Sequence, residues 1–214
     1  MNTPFQWTKQ VASHFGGTRN PMIISWPTHI KDKGGLRSQF LHTIDIVPTL
    51  YDVCGVTPPT ELNGVQQKPI EGLSFAHTFD DANAESRRKT QYFELACNRG
   101  LYHEGWMASC PSFVPWDPNR GDWDPDKAPW ELYKVDEDFS QANDLAKKRP
   151  EKLRQLQDMW WVEASKYNVL PLDWRGTIRM NAEAMGRPSL TRGRTKMTYY
   201  PGTIGLPDAA SPPM

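Results

Sequence analysis

The chain has 214 residues, and its 25 basic and 25 acidic side chains give a formal charge of zero, so no overall field attracts nucleic acid or an anionic membrane. A 38% share of apolar residues, including nine tryptophans, is enough for a folded core, and the length indicates one or two domains. Nineteen prolines predict many loops, and no apolar run approaches the roughly 20 residues that a membrane-spanning helix needs.

The first segment with a clear pattern is a loop, Lys9 to Pro21, that leads into the apolar run Met22 to Trp26. Gly16 and Gly17 supply backbone freedom within it. The closing proline fixes its own φ angle and disfavours helix at the preceding residue, so the apolar run is predicted to be an extended strand of the buried type. Loops at the end of a sheet commonly carry the chemistry of α/β proteins, and this one is predicted to place a cation at a fixed point.

A short helix is predicted next, with Asp45 as its N-cap and Gly55 as its stop signal. Asp45 could also be a catalytic carboxylate, but capping is the preferred interpretation. The helical spacing predicts one core-facing stripe, formed by Ile46, Leu50, Val53 and Cys54.

Residues 57–88 are rich in turn formers and charges and are predicted to form a surface excursion, with 70–75 as its ordered anchor. Alternating patterns then predict strands at 91–96, 101–103, 106–109 and 130–135. The pair Glu104-Gly105 predicts a two-residue turn. Residues 111–129 are predicted to be a long loop with a functional or covering role.

The three cysteines, Cys54, Cys97 and Cys110, lack metal-binding spacing, and their odd number argues against a complete disulfide framework. The predicted hairpin makes Cys97 and Cys110 diagonal neighbours about 7 Å apart, too far for an unstrained bond. We therefore expect thiols.

Pro150 opens the clearest predicted helix, which Asn168 ends. Its aromatic and aliphatic stripe is interpreted as core packing against the small sheet and not as a cofactor box. The stripe comprises Leu153, Leu156, Trp160, Ala164 and Tyr167. After Asp173 periodicity ends, and a basic, proline-containing tail is predicted to extend over the domain.

These motifs resemble the arylsulfatases of the alkaline phosphatase superfamily. In their lysine loop, a lysine precedes a Gly-Gly-x-Arg-x-Pro run by six or seven residues, as Lys9 does here. The resemblance covers most of the chain in order, and it is to the C-terminal portion of such an enzyme. Its further segments are 26–27, 45–50, 98–106, 130–133 and 169–173.

The resemblance implies an α/β fold, the C-terminal part of an alkaline-phosphatase-like sulfatase, with a small antiparallel sheet packed against a C-terminal helix. We expect residues 1–90 to end the main α/β domain and to include the lysine loop. Residues 91–173 would form the small sheet plus helix, and residues 174–214 the extended tail.

Lys9 matches the lysine that contacts the sulfate group in this family, so the resemblance assigns it both a catalytic and a substrate-binding role. A fixed cation near the leaving oxygen of a sulfate ester would stabilise the charge that develops there. Arg19 could clamp an anion or pin the loop backbone to a nearby carboxylate. For His14 we expect a packing or hydrogen-bonding role.

Other parts of the family's machinery are missing from this sequence. The resemblance implies a formylglycine nucleophile made from a Cys/Ser-x-Pro-Ser-Arg motif, and no cysteine or serine here begins one. It also implies calcium, held by segments that precede the lysine loop in the family. Asp80-Asp81 resembles the family's metal-binding aspartate pair but lies in a polar run, so a solvated turn is expected instead.

The sequence therefore predicts a C-terminal fragment of a hydrolase of sulfate esters, inactive alone, whose partners are a sulfate ester and the missing N-terminal part of the sulfatase domain. One alternative is a fragment of a related phosphonate or phosphate ester hydrolase. The other is a noncatalytic protein, either a relic or a subunit that completes another chain.

Overall fold

The structure is a computed structural model, and it describes residues 3–112 and 127–172. Most of the predicted 111–129 loop lies outside these ranges. So does the predicted tail at 174–214, together with Asp173. The fold below is that of the two described ranges.

A four-stranded antiparallel sheet forms the centre of the described structure. Its strands are neighbours in chain order: β3 (Thr90–Leu95), β4 (Asn98–His103), β5 (Trp106–Cys110) and β6 (Glu131–Lys134). All four predicted strands are confirmed, with small changes at their ends.

Two-residue turns connect the first three strands. The predicted Glu104–Gly105 turn is confirmed, and a second turn at Ala96–Cys97 was not anticipated. All four turn residues have positive φ angles, as type I′ hairpin turns require. Cys97 therefore lies in a turn, whereas Cys110 pairs with Arg99 in the sheet. Both side chains are buried, and all three cysteines are thiols, as predicted.

Helix α3 (Pro150–Lys166) packs on one face of this sheet and confirms the predicted core helix. The Trp160 indole N–H donates a hydrogen bond of 3.1 Å to the Phe93 carbonyl oxygen. Beyond the helix, Asn168 adopts a φ of +57°, which provides the left-handed stop. The fully buried residues of this contact are Leu101, Ala108 and Leu132 from the sheet and Leu156, Trp160 and Ala164 from the helix.

Leu156→Ala is expected to lower the free energy of unfolding by about 2–5 kcal/mol, because it leaves a cavity between helix and sheet. Val162→Ala is the matched control on the same helix, since Val162 is 65% exposed. It should change stability by less than about 0.5 kcal/mol. Chemical denaturation measures both, and equal losses for the two variants would contradict the assigned core.

The N-terminal part of the described chain has short elements. The predicted short helix is confirmed as α2, and Gly55 after it has a φ of +63°. The elements are α1 (Phe15–Thr18), a 3-10 turn (Thr43–Asp45), α2 (Ile46–Val53), the two-stranded β1 (Glu61–Leu62) and β2 (Val65–Gln66), and a 3-10 turn (Ala76–Thr78). Within the described ranges, no helix is long and apolar enough to cross a bilayer.

Two predictions of burial in this part are wrong. The run Met22 to Trp26 forms no strand with any described residue, and Ile23 is 94% exposed. The predicted core stripe of α2 is also open to solvent: Leu50 is 57% exposed, and Cys54 is exposed. In both places the pattern gave the apolar character correctly, but the described residues provide nothing that covers it.

Asp45 is the centre of a buried ion pair that no local sequence pattern indicates. Arg88 donates to both carboxylate oxygens of Asp45, through Nε at 2.8 Å and through Nη2. The backbone N–H groups of His42 and Leu73 donate to the same carboxylate, each at 2.8 Å. Burial alone would raise the pKa of Asp45, but these hydrogen bonds and the Arg88 charge hold it below its ordinary value. Asp45 is therefore a structural residue with no open oxygen for catalysis.

His42 makes stability depend on pH near neutrality. Burial, together with the Arg88 charge, lowers its pKa below the ordinary 6.5, against a smaller opposing effect of Asp45. The unfolded chain then binds a proton at higher pH than the folded chain does. The free energy of unfolding should therefore fall as pH drops below about 6.5. In urea titrations at about pH 7.5 and 5.5, His42→Asn should show a smaller fall than the wild type, and an equal fall would contradict this cause.

Candidate functional site

The lysine loop lies on the face of the sheet opposite α3. Phe15 of α1 packs with Met107, Tyr133 and Val135, which are all buried. The alternation of side chains along β5 and β6 explains both faces, because Ala108 and Leu132 point towards α3 while their neighbours point towards the loop. The lysine loop therefore packs directly on the small sheet.

Gly16 and Gly17 are needed for close approach and not for unusual backbone angles. Both lie in α1, and neither has a positive φ. A Cβ at Gly16 would clash with the carbonyl oxygens of Gln6 and Trp7, and one at Gly17 with that of Val11. The Gly16 N–H also donates to the Gln6 carbonyl at 3.0 Å. The glycine pair thus lets the loop close on itself around Lys9, which corrects the prediction of simple flexibility.

Gln141 fastens the loop to the sheet. Its side-chain oxygen accepts a hydrogen bond of 2.7 Å from the Phe15 N–H at the start of α1. Its side-chain nitrogen donates to the Ser109 hydroxyl at 3.1 Å, and its carbonyl oxygen accepts from the Gln6 side chain. Gln141 is fully buried, so these bonds are shielded from water.

His14 makes the second connection to the sheet. Its Nε2 lies 2.9 Å from Glu131 Oε2, and its Nδ1 lies 2.9 Å from the Ser13 hydroxyl. Its ring is fully buried, with its centroid 5.8 Å from that of Tyr133. The expected packing and hydrogen-bonding role of His14 is therefore what the structure contains.

Lys9 lies on the exposed side of this supported loop. No described residue forms a side-chain hydrogen bond or ion pair with its ammonium group, which is thus open to an anion. The Asn98 side chain donates to the carbonyl oxygen of the next residue, Gln10, at 3.4 Å. Lys9 is therefore exposed to solvent, and strand β4 holds the backbone next to it through Asn98.

Arg19, the other cation of the loop, is placed differently. Its guanidinium carbon lies 5.2 Å from the ring centroid of Phe5 and 5.5 Å from that of Phe15, as in cation–π contacts. Among the described residues no carboxylate pairs with it, so the predicted pinning of the backbone to a carboxylate is not what holds it. Arg19 covers the aromatic core under the loop.

The described residues do not fit a metal centre. Residues 3–112 and 127–172 contain no group of three or more His, Cys, Asp or Glu side chains that could hold a metal ion. Asp80 and Asp81 form an exposed turn, as predicted, and accept hydrogen bonds of 2.8 Å from the N–H groups of Lys31 and Asn83. Calcium has no ligand set in this part of the molecule.

Comparison with protein families identifies the segment that carries the loop. Residues 6–97 match the family described as N-sulphoglucosamine sulphohydrolase, C-terminal. Residues 6–97 resemble the C-terminal region of a sulfatase. This match includes the lysine loop, the Asp45–Arg88 pair and strand β3. Comparison with curated proteins found no match.

Solved structures show a likeness in fold over most of the chain. BT33336S-sulf of Bacteroides thetaiotaomicron, described with the metabolism of multiple glycosaminoglycans, is 21% identical with a TM-score of 0.52 and covers 73% of this chain. Ps i-CgsB is 18% identical with a TM-score of 0.55 and covers 88%. The chain spans 31% and 38% of their lengths, respectively. The expected fold, the C-terminal part of an alkaline-phosphatase-like sulfatase with a small sheet and a helix, is confirmed.

The residues that hold the loop, Glu131, Tyr133 and Gln141, were not singled out from the sequence. Glu131 had a detectable signal, because it is an acid in an alternating strand, on the same face as Tyr133. Gln141 had no such signal, because it lies after the sheet in a segment without regular secondary structure. The division of the chain at residue 90 stays a prediction, and the loop before that boundary packs on the sheet after it.

Proposed function

We propose that this chain is the C-terminal part of an arylsulfatase and that Lys9 contacts the sulfuryl group of a sulfate ester during its hydrolysis. The single observation that carries this proposal is the exposed Lys9 ammonium on a loop that is fastened at Gln141 and His14 and that lies in the sulfatase family match. A preorganised cation stabilises developing negative charge without reorganising during the reaction. The loop supplies that preorganisation.

The proposed partner is the N-terminal part of the same sulfatase domain. The solved relatives are about three times as long as the part that this chain matches. Ile23, Leu50 and the other exposed apolar residues of 22–24 and α2 are surfaces that such a part would cover. Burying them would remove the apolar area that the described residues leave in water.

Calcium and the formylglycine nucleophile belong, in this proposal, to the N-terminal part. Calcium would bind and orient the sulfate group there, and this chain would contribute the lysine. The described residues contain no ligand set for the ion. The motif for the nucleophile is likewise not in the 214 residues.

Purified alone, the chain is expected to hydrolyse no aryl sulfate, with or without calcium, because the nucleophile is missing. A chromogenic sulfate ester measures this, and activity should appear when the matching N-terminal part is supplied. Turnover by the isolated chain that persists through further purification would contradict the fragment interpretation. A Lys9→Ala chain is the control, because it should assemble with the N-terminal part but give much lower activity.

A related phosphonate or phosphate ester hydrolase is the second enzymatic candidate, because the scaffold is shared. The family match favours the sulfatase. The assembled protein should be assayed with an aryl sulfate, an aryl phosphate and N-sulphoglucosamine, the last because the matched family is described by that compound. A noncatalytic protein would turn over none of them.

A further inference from the structure

One carboxylate connects the lysine loop to strand β6. Glu131 Oε2 lies 2.9 Å from His14 Nε2 and 2.8 Å from the Tyr133 hydroxyl oxygen. A carboxylate only accepts hydrogen bonds, so the imidazole and the phenol both donate to the same oxygen. The neighbouring Ser13 hydroxyl can then donate to the other ring nitrogen. Ser13, His14, Glu131 and Tyr133 thus form a continuous hydrogen-bonded chain from loop to sheet.

Burial shields this network of hydrogen bonds from water. His14 and Ser13 are fully buried, and Tyr133 is 3% exposed. Burial, the hydrogen bond to Glu131 and the charge of Glu131 raise the pKa of Tyr133 well above its ordinary range. The phenol therefore remains protonated at physiological pH and donates to the Glu131 oxygen.

Direct catalysis by these residues does not fit the geometry. A serine, a histidine and a glutamate in sequence suggest a nucleophile and its base, but here the serine and the imidazole are inaccessible to a substrate. The hydroxyl of Ser13 also bonds the ring of the adjacent residue, and Ser13 has no solvent-exposed surface. These residues can instead fix the backbone of the loop that precedes Ser13.

We propose that Glu131 is a positioning residue for Lys9 and acts through His14, five residues further along the same loop. This proposal rests on the proposed function of Lys9. The loop is closed between Gln6 and Gly16 by a backbone hydrogen bond of 3.0 Å, so fixing His14 fixes the whole closed segment. Without Glu131, the buried imidazole loses its acceptor, and a buried polar group without a partner favours opening of the segment.

Amide hydrogen exchange on this chain tests directly whether the Glu131–His14 contact holds the loop. The variants are Glu131→Ala and Glu131→Gln, with Glu137→Ala as control, because Glu137 is exposed and lies just beyond the same strand. In Glu131→Ala, amides of residues 6–19 should exchange about 10- to 100-fold faster, while those of α3 stay unchanged. Glu131→Gln keeps an acceptor oxygen and should partly restore protection. Unchanged exchange in residues 6–19, or equal acceleration in α3, would overturn the proposal.

Kinetics of the sulfatase assembled with its N-terminal part separate this proposal from the function of Lys9. Glu131→Ala should lower kcat by at least about tenfold with little change in KM, because a displaced Lys9 would stabilise the transition state less well. If Lys9→Ala lowers kcat and Glu131→Ala does not, Glu131 is not a positioning residue and the function of Lys9 stands. If Lys9→Ala leaves kcat unchanged, the proposed function fails, and positioning of Lys9 by Glu131 fails with it.

Discussion

Under the proposed function, Lys9→Ala is expected to lower sulfate ester turnover of the chain assembled with an N-terminal part by about 10²- to 10³-fold, the usual loss when one preorganised donor is removed. The structure supports a large effect because Lys9 is exposed on a closed segment that hydrogen bonds hold at Gln6, His14 and Phe15. A contact made mainly in the transition state should lower kcat and kcat/KM together. If Lys9 instead binds substrate and transition state equally well, its loss would raise KM alone.

Two further variants sharpen the Lys9 measurement. Lys9→Arg should not restore full activity, because the guanidinium is larger and planar and cannot place a compact charge at the same point. Lys33→Ala removes another exposed lysine outside the loop and should leave kcat near the wild-type value. Steady-state kinetics must be normalised to folded protein. Wild-type turnover by Lys9→Ala would remove the lysine from the active site.

Arg19→Ala is the companion variant within the loop. Because its guanidinium lies against Phe5 and Phe15, its loss should lower stability more than it alters kcat of the folded protein.

Arg88→Ala is expected to destabilise the fold by about 3–5 kcal/mol, the largest stability effect we predict for a single charge. It would leave the Asp45 carboxylate, whose side chain is only 1% exposed, without its counter-charge. Arg88 also donates to the Gln91 side chain at the start of β3, so the loss would extend to the sheet edge. The free energy of unfolding from chemical denaturation measures it.

Arg87→Ala is the matched control for this ion pair, because the neighbouring arginine is exposed and, among the described residues, donates only to the Ser74 carbonyl oxygen. It should change stability by less than about 0.5 kcal/mol. Asp45→Asn tests the same pair from the other side, since it keeps the shape and removes the charge. A loss below about 1 kcal/mol for Arg88→Ala would mean that water replaces the guanidinium at this site.

Local patterns predicted the fold best where a segment and its partner lie close in sequence. The β4–β5 turn at Glu104–Gly105 and the helix from Pro150 each carry their own signals, and both were found. The Asp45–Arg88 pair joins residues 43 positions apart, and no local pattern indicates which arginine would reach the carboxylate. Burial of Leu50 was predicted wrongly because periodicity gives an apolar face but not the surface that covers it.

The candidate site was predictable only as far as its motif extends. The glycine pair and its spacing from Lys9 identified the loop, but the tethers Glu131 and Gln141 are more than 100 residues away in sequence. Their identity depends on which strand lies beneath the loop. That information is in the tertiary contacts and in no single segment.

The long separation between the loop and its tethers has a consequence for how the protein folds. The hairpins of β3, β4 and β5 close over two-residue turns, so they can form early and at little entropic cost. The loop meets Glu131 and Gln141 across 117 and 126 positions, respectively, and must close a long segment of chain to do so. We expect the sheet with α3 to assemble first and the loop to dock onto it late. A newly made chain would then acquire its compact core before Lys9 reaches its final place.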